Sequence, residues 1–358
     1  MPAGEFHAVS ATHRPAIPAL TSLRFFAALW VVLFHVREVG LFRGGIAPYA
    51  AVVKLGYLGV SFFFVLSGFI LVYVYAGREI QKARFWQARL ARVYPAYLFS
   101  LLVMAPSIPA FVPLLRAMHG SLVIAVTSFP MLLEAWFPRD LLFWNVVAWS
   151  LSVEAFFYFL FPFAQRLLER TNSLGLRFWL VGSWASSLAI TFAYVALKPD
   201  GVEWPTSKDT TLFWLAVIKF NPVVRLPEFL LGMGVGAKFL RDRERPRSWP
   251  IAVGFILLLL GTIFQQRIPY AMMHSGLPGP AFGLLIYGFA TLPASFRFLH
   301  SKFDFARQCE LQPIPASLVS ACHHDVCSAR RSLAAHTACG QRLCSRHGAG
   351  VHSCLSQH

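Results

Sequence analysis

Apolar runs long enough to cross a lipid bilayer recur along most of this 358-residue chain, and they constrain its fold more than any other feature. A hydrocarbon core of about 30 Å takes roughly 20 residues of helix at about 1.5 Å rise each. Such runs lie near Leu20 to Val39, Leu55 to Ala76, Val93 to Leu115, Leu141 to Phe163, Phe178 to Leu197, Pro222 to Leu240, Trp249 to Gln265 and Pro280 to Phe296. Two further apolar segments differ: Ser121 to Phe137 is interrupted by Pro130 and Glu134, and Thr211 to Phe220 is too short to cross. Hydrocarbon offers no partner to a backbone N–H or C=O, so each crossing in a chain of this pattern has to be a helix. Only 13% of the residues are charged, about half the share in a soluble globular domain, which excludes a cytosolic enzyme, a disordered chain and a solvated repeat array. The expected fold class is all-α, a polytopic transmembrane helix bundle of about 8 to 10 spans.

The net charge is +16, and its placement bears on topology because Lys and Arg gather in cytoplasmic loops. The clusters are Arg78, Lys82, Arg84, Arg89 and Arg92; Arg166, Arg170 and Arg177; Lys238, Arg241, Arg243, Arg245 and Arg247; and Arg297, Lys302 and Arg307. All four fall on one side if the eight long runs cross and the two irregular segments are re-entrant or interfacial. That places the N-terminus in the cytoplasm. The first apolar run starts only at about Leu20 and has no Ala-x-Ala exit, so it is expected to stay as a span rather than leave with a signal peptide. The basic loops offer a grip on phosphates or anionic lipid head groups. Nucleic acid is not an expected partner, since loops separated by spans form no stripe of basic and aromatic residues. There is no internal repeat of solenoid length and no Gly-rich phosphate loop.

An ionisable side chain inside hydrocarbon costs at least about 2.5 kcal/mol, so by default it marks a functional site or a satisfied pair. Arg24, His35, Glu154 and Arg225 qualify. Arg24 and His35 share one stripe of the first span, because eleven residues return a helix to within about 20° of the same face, roughly 16 Å along the axis. Either they form a track from an anion-binding mouth to a deeper base, or the Arg snorkels to the interface and the His bonds a backbone carbonyl. Ser67-Gly68 on the second span permits close helix packing or close approach of a ligand. Arg89 and Arg92 are neighbours on one helical face, suited to forking onto phosphate oxygens or simply marking topology.

Glu154 is expected near mid-membrane, with Ser150 one turn away to share a hydrogen bond and a buried His as its natural partner. Glu154 orienting and His35 abstracting a hydroxyl proton would make a general-base dyad; a structural salt bridge or a transporter's proton relay uses the same residues. Arg225 either pairs with Glu228 or neutralises an anionic ligand.

The end of the chain has another composition. All six cysteines (Cys309, Cys322, Cys327, Cys339, Cys344 and Cys354) and six of the twelve histidines follow Gln308, in a stretch without Phe, Trp, Tyr, Met or Lys. Translation of a GC-rich coding region out of frame yields such a tail. Two Cys-x4-Cys pairs, Cys322 with Cys327 and Cys339 with Cys344, supply the competing metal-site reading. Zinc sites use tighter spacings, and no metal is expected. A cytoplasmic tail also disfavours disulfides.

Taken in order, Leu20-Thr21-Ser22-Leu23-Arg24 with His35, then Phe63-Phe64-Val65-Leu66-Ser67-Gly68-Phe69, then Arg89-x-x-Arg92 with Tyr94-Pro95, then Trp149-Ser150-Leu151-Ser152-Val153-Glu154 with Phe157-Tyr158 and Pro162, resemble the membrane acyltransferase-3 family. The resemblance covers roughly residues 18 to 305. It implies a multi-pass enzyme of the cell inner membrane that passes an acyl group, usually acetyl from acetyl-CoA, to a hydroxyl of a carbohydrate, exopolysaccharide or lipid-linked acceptor. Acyl-CoA is then a donor substrate, no cofactor stays bound, and the partners are the glycan acceptor and membrane lipids. The family's essential Arg and His fall on Arg24 and His35, its Arg pair on Arg89 and Arg92, its carboxylate on Glu154, and its Arg-x-x-Glu-Phe stretch on Arg225, Glu228 and Phe229. The expected catalytic residues are His35 and Glu154, and the expected substrate-binding residues are Arg24, Arg89, Arg92, Arg225, Ser67 and Ser150. The expected organisation is a cytoplasmic segment (1–18), the acyltransferase domain (19–305) and the Cys/His-rich tail (306–358). That tail replaces the family's usual Ser-Tyr-x-x-Tyr-Leu-x-His type block, which leaves an inactive member as one alternative. A transporter or flippase of a polar solute, which needs the same intramembrane charges, is the other.

Overall fold

A computed structural model of the chain describes residues 15, 17–38, 40, 47–206, 209, 211–242 and 247–292. The helices are α1 (Pro18–Glu38), α2 (Ala47–Lys54), α3 (Leu58–Tyr75), α4 (Lys82–Met104), α5 (Ile108–Ala117), α6 (Leu122–Ser128), α7 (Trp149–Glu169), α8 (Ser173–Leu197), α9 (Phe213–Phe220), α10 (Pro222–Arg241), α11 (Trp249–Phe264), α12 (Tyr270–His274) and α13 (Gly279–Ala290). No strand occurs among the described residues. By length and composition, α1, the stretch Tyr49–Tyr75, the stretch Lys82–Pro113, α7 and α8 are able to cross a membrane. α10 is as long but carries Arg225, Glu228, Lys238 and Arg241, while α11 and α13 are shorter. The chain is an all-α helical membrane protein.

Cross-helix contacts give the direction of each element. Gly56, in the turn just before α3, faces Trp30 and Phe34 of α1, and Gly59 on α3 faces Val31 and Ala27, so these two helices are antiparallel. Ser67 meets Glu154 and Gly77 meets Glu169, so α7 runs with α3. α10 does likewise, since Ser61 meets Arg225 and Gly236 faces Phe69 and Val72. Among the described residues, α3, α7, α10 and α13 run one way and α1, α4, α8 and α11 the other. Arg78, Lys82, Arg84, Arg89, Arg92, Arg166, Arg170, Arg177, Lys238, Arg241 and Arg247 therefore gather at one end, the basic face. Arg243, Arg245, the Arg297, Lys302 and Arg307 cluster, all six cysteines and residues 1–14 lie outside the described residues.

The starts of two helices differ most from the sequence expectation. α4 begins at Lys82 rather than near Val93, because its Arg, Lys and Gln residues are good helix formers whose long side chains reach back to the interface. α7 begins at Trp149 rather than Leu141. The apolar residues before it form turns, with Leu141 N–H bonded to the Phe137 carbonyl, Phe143 N–H to that of Asp140 and Ala148 N–H to that of Asn145 instead of a helical ladder, and side chains satisfy the neighbouring backbone. Tyr97 donates to the Phe129 carbonyl at 2.6 Å, Tyr94 to that of Pro130 at 3.0 Å and Ser152 to that of Leu132 at 2.6 Å. Trp144 donates to the Leu101 carbonyl at 2.9 Å. The segments holding α6 and α9 do not cross.

At the centre α3 and α10 touch backbone to backbone. A Cβ on Gly68 would land on the Phe229 carbonyl oxygen, and one on Gly232 on that of Val65. Phe157 of α7 stacks on Phe229 with ring centroids 4.7 Å apart. The start of α10 is set by Asn221, whose side chain accepts from Val223 N–H at 3.0 Å, followed by Pro222 in the first turn. Its end is held by Asp242, which accepts from the Tyr287 hydroxyl at 2.6 Å and pairs with Lys238 at 3.0 Å and Arg247 at 3.7 Å. Partial burial pushes the Asp242 carboxyl up, but the Tyr287 hydroxyl and the Lys238 and Arg247 cations outweigh it and hold the group below the ordinary 3.8.

Two outcomes follow for unfolding in detergent. Gly232→Ala forces the central helices apart and should cost about 1–3 kcal/mol. Asp242→Asn should cost about 1 kcal/mol at neutral pH. Because the folded carboxyl is depressed, that difference is complete above the ordinary aspartate range and should vanish as acid carries the pH through the lowered value. An acid-insensitive difference would contradict the assignment.

Candidate functional site

Two polar clusters among the described residues hold the expected site residues or lie beside them, one toward the basic face and one toward the far end. In the first, the Arg89 guanidinium is enclosed by rings, with centroids 5.5 Å (Tyr75), 5.4 Å (Phe85) and 5.7 Å (Tyr158) from its central carbon. Its Nη2 donates to the Tyr75 hydroxyl at 3.3 Å, whereas Nε is buried with no hydrogen-bond partner. Tyr158, one turn beyond Glu154 on α7, donates to Glu154 Oε1 at 2.5 Å, and the same oxygen accepts from Ser67 Oγ at 3.1 Å. Arg89, Glu154 and Ser67 thus share one network, joined through Tyr158. Arg92 is exposed one turn further along α4. Gly68 beside Ser67 serves helix packing. Ser150 does not join: its hydroxyl donates to the Val147 carbonyl at 3.2 Å, because Glu154 is turned toward α3 and away from its own preceding turn.

His35 belongs to the far end. α1 is antiparallel to α3, so the turn carrying Phe34 lies against Gly56, while Glu154 lies against Ser67, eleven residues or roughly 16 Å along α3. The expected contact between Glu154 and His35 is therefore not formed. Instead His35 Nδ1 lies 2.8 Å from the Val31 carbonyl oxygen. A carbonyl only accepts, so Nδ1 carries a proton, which leaves Nε2 as the ring nitrogen free to exchange one. The tautomer is set by the helix backbone. Arg24, half-buried, lies in the half of α1 nearer the basic face.

The far cluster centres on Arg225, whose side chain is fully buried. Its Nη2 stands 2.9 Å from Glu228 Oε2, an i,i+3 ion pair, and donates to Ser61 Oγ at 2.7 Å. Its Nη1 donates to the His274 carbonyl oxygen at 2.8 Å, and Ser61 donates to the same oxygen at 3.2 Å. Tyr57 stacks on the His274 ring at 5.1 Å. Of the two readings of Arg225, the structure has the pairing with Glu228. Sequence reasoning named Tyr158 only as part of the family block, with no role of its own, and gave none to Tyr75, Ser61, His274 or Lys219. Lys219 and His274 carried a signal, each being an ionisable residue in an apolar setting, but they lie in segments too short to count as spans.

Removing one member of a buried ion pair strands the other, so Arg225→Met alone should lose about 3–5 kcal/mol of stability in detergent unfolding. Combining it with Glu228→Met should recover most of that loss. Equal instability of the single and double variants would show that the pair is not what holds this cluster.

The family model described as an acyltransferase domain, acyltransferase-3, matches residues 17–307. Among curated proteins the chain is similar to the acyltransferase MdmB of Streptomyces mycarofaciens, 30% identical over 223 residues, which cover 61% of this chain and 56% of that protein. It is also similar to the O-acetyltransferase OatA of Staphylococcus aureus, 29% identical over 160 residues, 41% of this chain and 24% of the relative. The peptidoglycan O-acetyltransferase OatA of Listeria monocytogenes is 26% identical over 168 residues, 42% of this chain and 24% of the relative. The matched stretches thus span about half of the first relative and a quarter of the other two. No solved structure matches the chain. With a family model matched across its whole described helical region, the chain belongs to the acyltransferase-3 family.

Proposed function

We propose that the chain is an integral-membrane O-acyltransferase that moves an acyl group, acetyl in the simplest case, from acyl-CoA to a hydroxyl of a carbohydrate or lipid-linked acceptor. The observation that carries this reading is the caged Arg89, a cation at the basic face with an unpartnered Nε, coupled through Tyr158 to Glu154 and Ser67. Relatives whose names are O-acetyltransferase support the acyl group and the oxygen acceptor. Under the positive-inside rule the basic face is cytoplasmic, with the N-terminus on the same side, as expected for an inner membrane protein.

In this reading Arg24, Arg89 and Arg92 hold the CoA phosphates at the basic face, and the thioester arm runs along α1 toward His35. His35 Nε2 takes the proton of the acceptor hydroxyl as its oxygen attacks the thioester carbonyl carbon. The carbon–sulfur bond breaks, and the departing thiolate takes the proton back from Nε2. Glu154 orients Tyr158 and so the Arg89 cage; it is a positioning residue, not the partner of His35.

The test is release of free CoA thiol and labelled acyl product by the purified chain in lipid nanodiscs. His35→Ala should cut turnover by about 10²–10⁴-fold, the usual contribution of a general base, while leaving membrane insertion intact. Arg89→Gln should raise KM for acyl-CoA about 10-fold or more, the worth of a charge-assisted hydrogen bond, with kcat much less changed. Solute transport by a chain that consumes no thioester would replace this reading with the transporter one.

A further inference from the structure

Lys219 is a buried cation that nothing in the proposed reaction uses. It is 6% exposed, near the end of the short helix α9. Among the described residues its ammonium makes no hydrogen bond or ion pair and lies over two rings, Phe220 at 4.9 Å and Tyr270 at 5.5 Å from the centroids. Among the described residues no carboxylate lies within ion-pairing distance of it. Asp209 and Glu38 act on it only through space, and each is engaged elsewhere. Asp209 accepts from the Thr206 N–H and hydroxyl at 2.7 and 3.0 Å, and Glu38 pairs with Arg37 at 3.6 Å. The other buried cation nearby, Arg225, is balanced by Glu228.

The ammonium is also held in place. Asp200 caps α9 by accepting from Trp214 N–H at 3.0 Å and Leu215 N–H at 2.9 Å, and it ties that helix to α8 through the Tyr194 hydroxyl at 3.0 Å. Tyr270 stands edge-on to Tyr57 at 5.3 Å, and Tyr57 edge-on to Phe34 at 5.8 Å, the residue before His35. A continuous aromatic wall therefore joins Lys219 to the turn that carries the imidazole. A buried ammonium over two rings, with no carboxylate paired to it among the described residues, is a charge in want of an anion.

We propose that Lys219 anchors an anion subsite at the His35 end of the bundle, which takes a carboxylate or phosphate carried by the acyl acceptor. The subsite rests on the acyl-transfer reading for the identity of its ligand, though not for its existence. It makes the enzyme selective for anionic acceptors over neutral ones, with the ammonium as a point charge that fixes one end of the acceptor while its hydroxyl meets His35.

The experiment is thermal unfolding of the full chain in phosphatidylcholine nanodiscs, titrated with glucuronate, inorganic phosphate or, as the neutral control, glucose. The midpoint should rise saturably with an anion and stay flat with glucose. Lys219→Arg should keep the response. Lys219→Met should abolish it and raise the anion-free midpoint above wild type, since the uncompensated charge is gone; Lys219→Gln takes its place if the Met variant does not fold. Equal anion responses in wild type and variant, or none in wild type, would overturn the subsite. A Lys219-dependent shift seen only on adding phosphatidylglycerol to the discs would assign it to a lipid head group and overturn the acceptor. No arm contains acyl-CoA, so this result and the acyl-transfer result fail independently.

Discussion

The approach of α3 to α10 is the contact on which the remaining architecture depends. Lipid tails are as apolar as leucine, so helices inside a bilayer gain little from hiding apolar surface and are held by close packing and hydrogen bonds. Gly68 and Gly232 supply the closeness, each facing a backbone carbonyl of the other helix. The hydrogen bond between these two helices is placed by that closeness. Ser61 reaches Arg225 because the backbones touch, and Ser67 is presented to α7 on the other flank. A side chain at either glycine would move both clusters at once.

The two clusters are kept apart by one aromatic layer. Phe64 lies under the Arg225 guanidinium at 5.2 Å and edge-on to Trp149 at 6.1 Å and Phe157 at 5.2 Å. Charges on either side act in a medium of low dielectric, where each is strongly felt by its own partners. This division agrees with a reaction in which one end holds a phosphate-bearing donor and the other activates an acceptor. It also explains why the two groups first expected to form a dyad serve different ends of the molecule.

Much of this was legible in the sequence, and the failures have physical causes. Span positions followed from hydropathy, and one-sided basic residues excluded the two irregular segments as crossings, which is how α6 and α9 turn out. Arg225 with Glu228 was readable from helical spacing alone. The starts of α4 and α7 were not, because hydropathy marks where lipid begins, whereas a helix starts where its backbone first finds partners. Ser150 was misjudged because spacing gives a shared face but not the direction in which a rotamer turns. The pairing of His35 with Glu154 assumed that buried opposites meet; the antiparallel course of α1 and α3 puts the imidazole and the carboxylate at different depths, and a backbone carbonyl serves instead. Lys219 and His274 escaped because the search for costly charges was confined to spans.

The hydrogen bond from Arg225 to Ser61 joins residues 164 positions apart. At about 5–20 residues per second of synthesis, α3 reaches the membrane roughly 8 to 30 s before α10 exists. For that interval its glycine-lined groove faces lipid or a helper protein, and Ser61 has only its own helix to satisfy it. The arginine cannot enter hydrocarbon cheaply alone; it arrives with Glu228 on its own helix and meets Ser61 already inserted, and the His274 carbonyl follows 49 residues later. Assembly thus has an order written into it: the neutral half of the central pair is inserted first and waits, the charged half enters against it with its own carboxylate, and the last carbonyl closes the cluster afterwards.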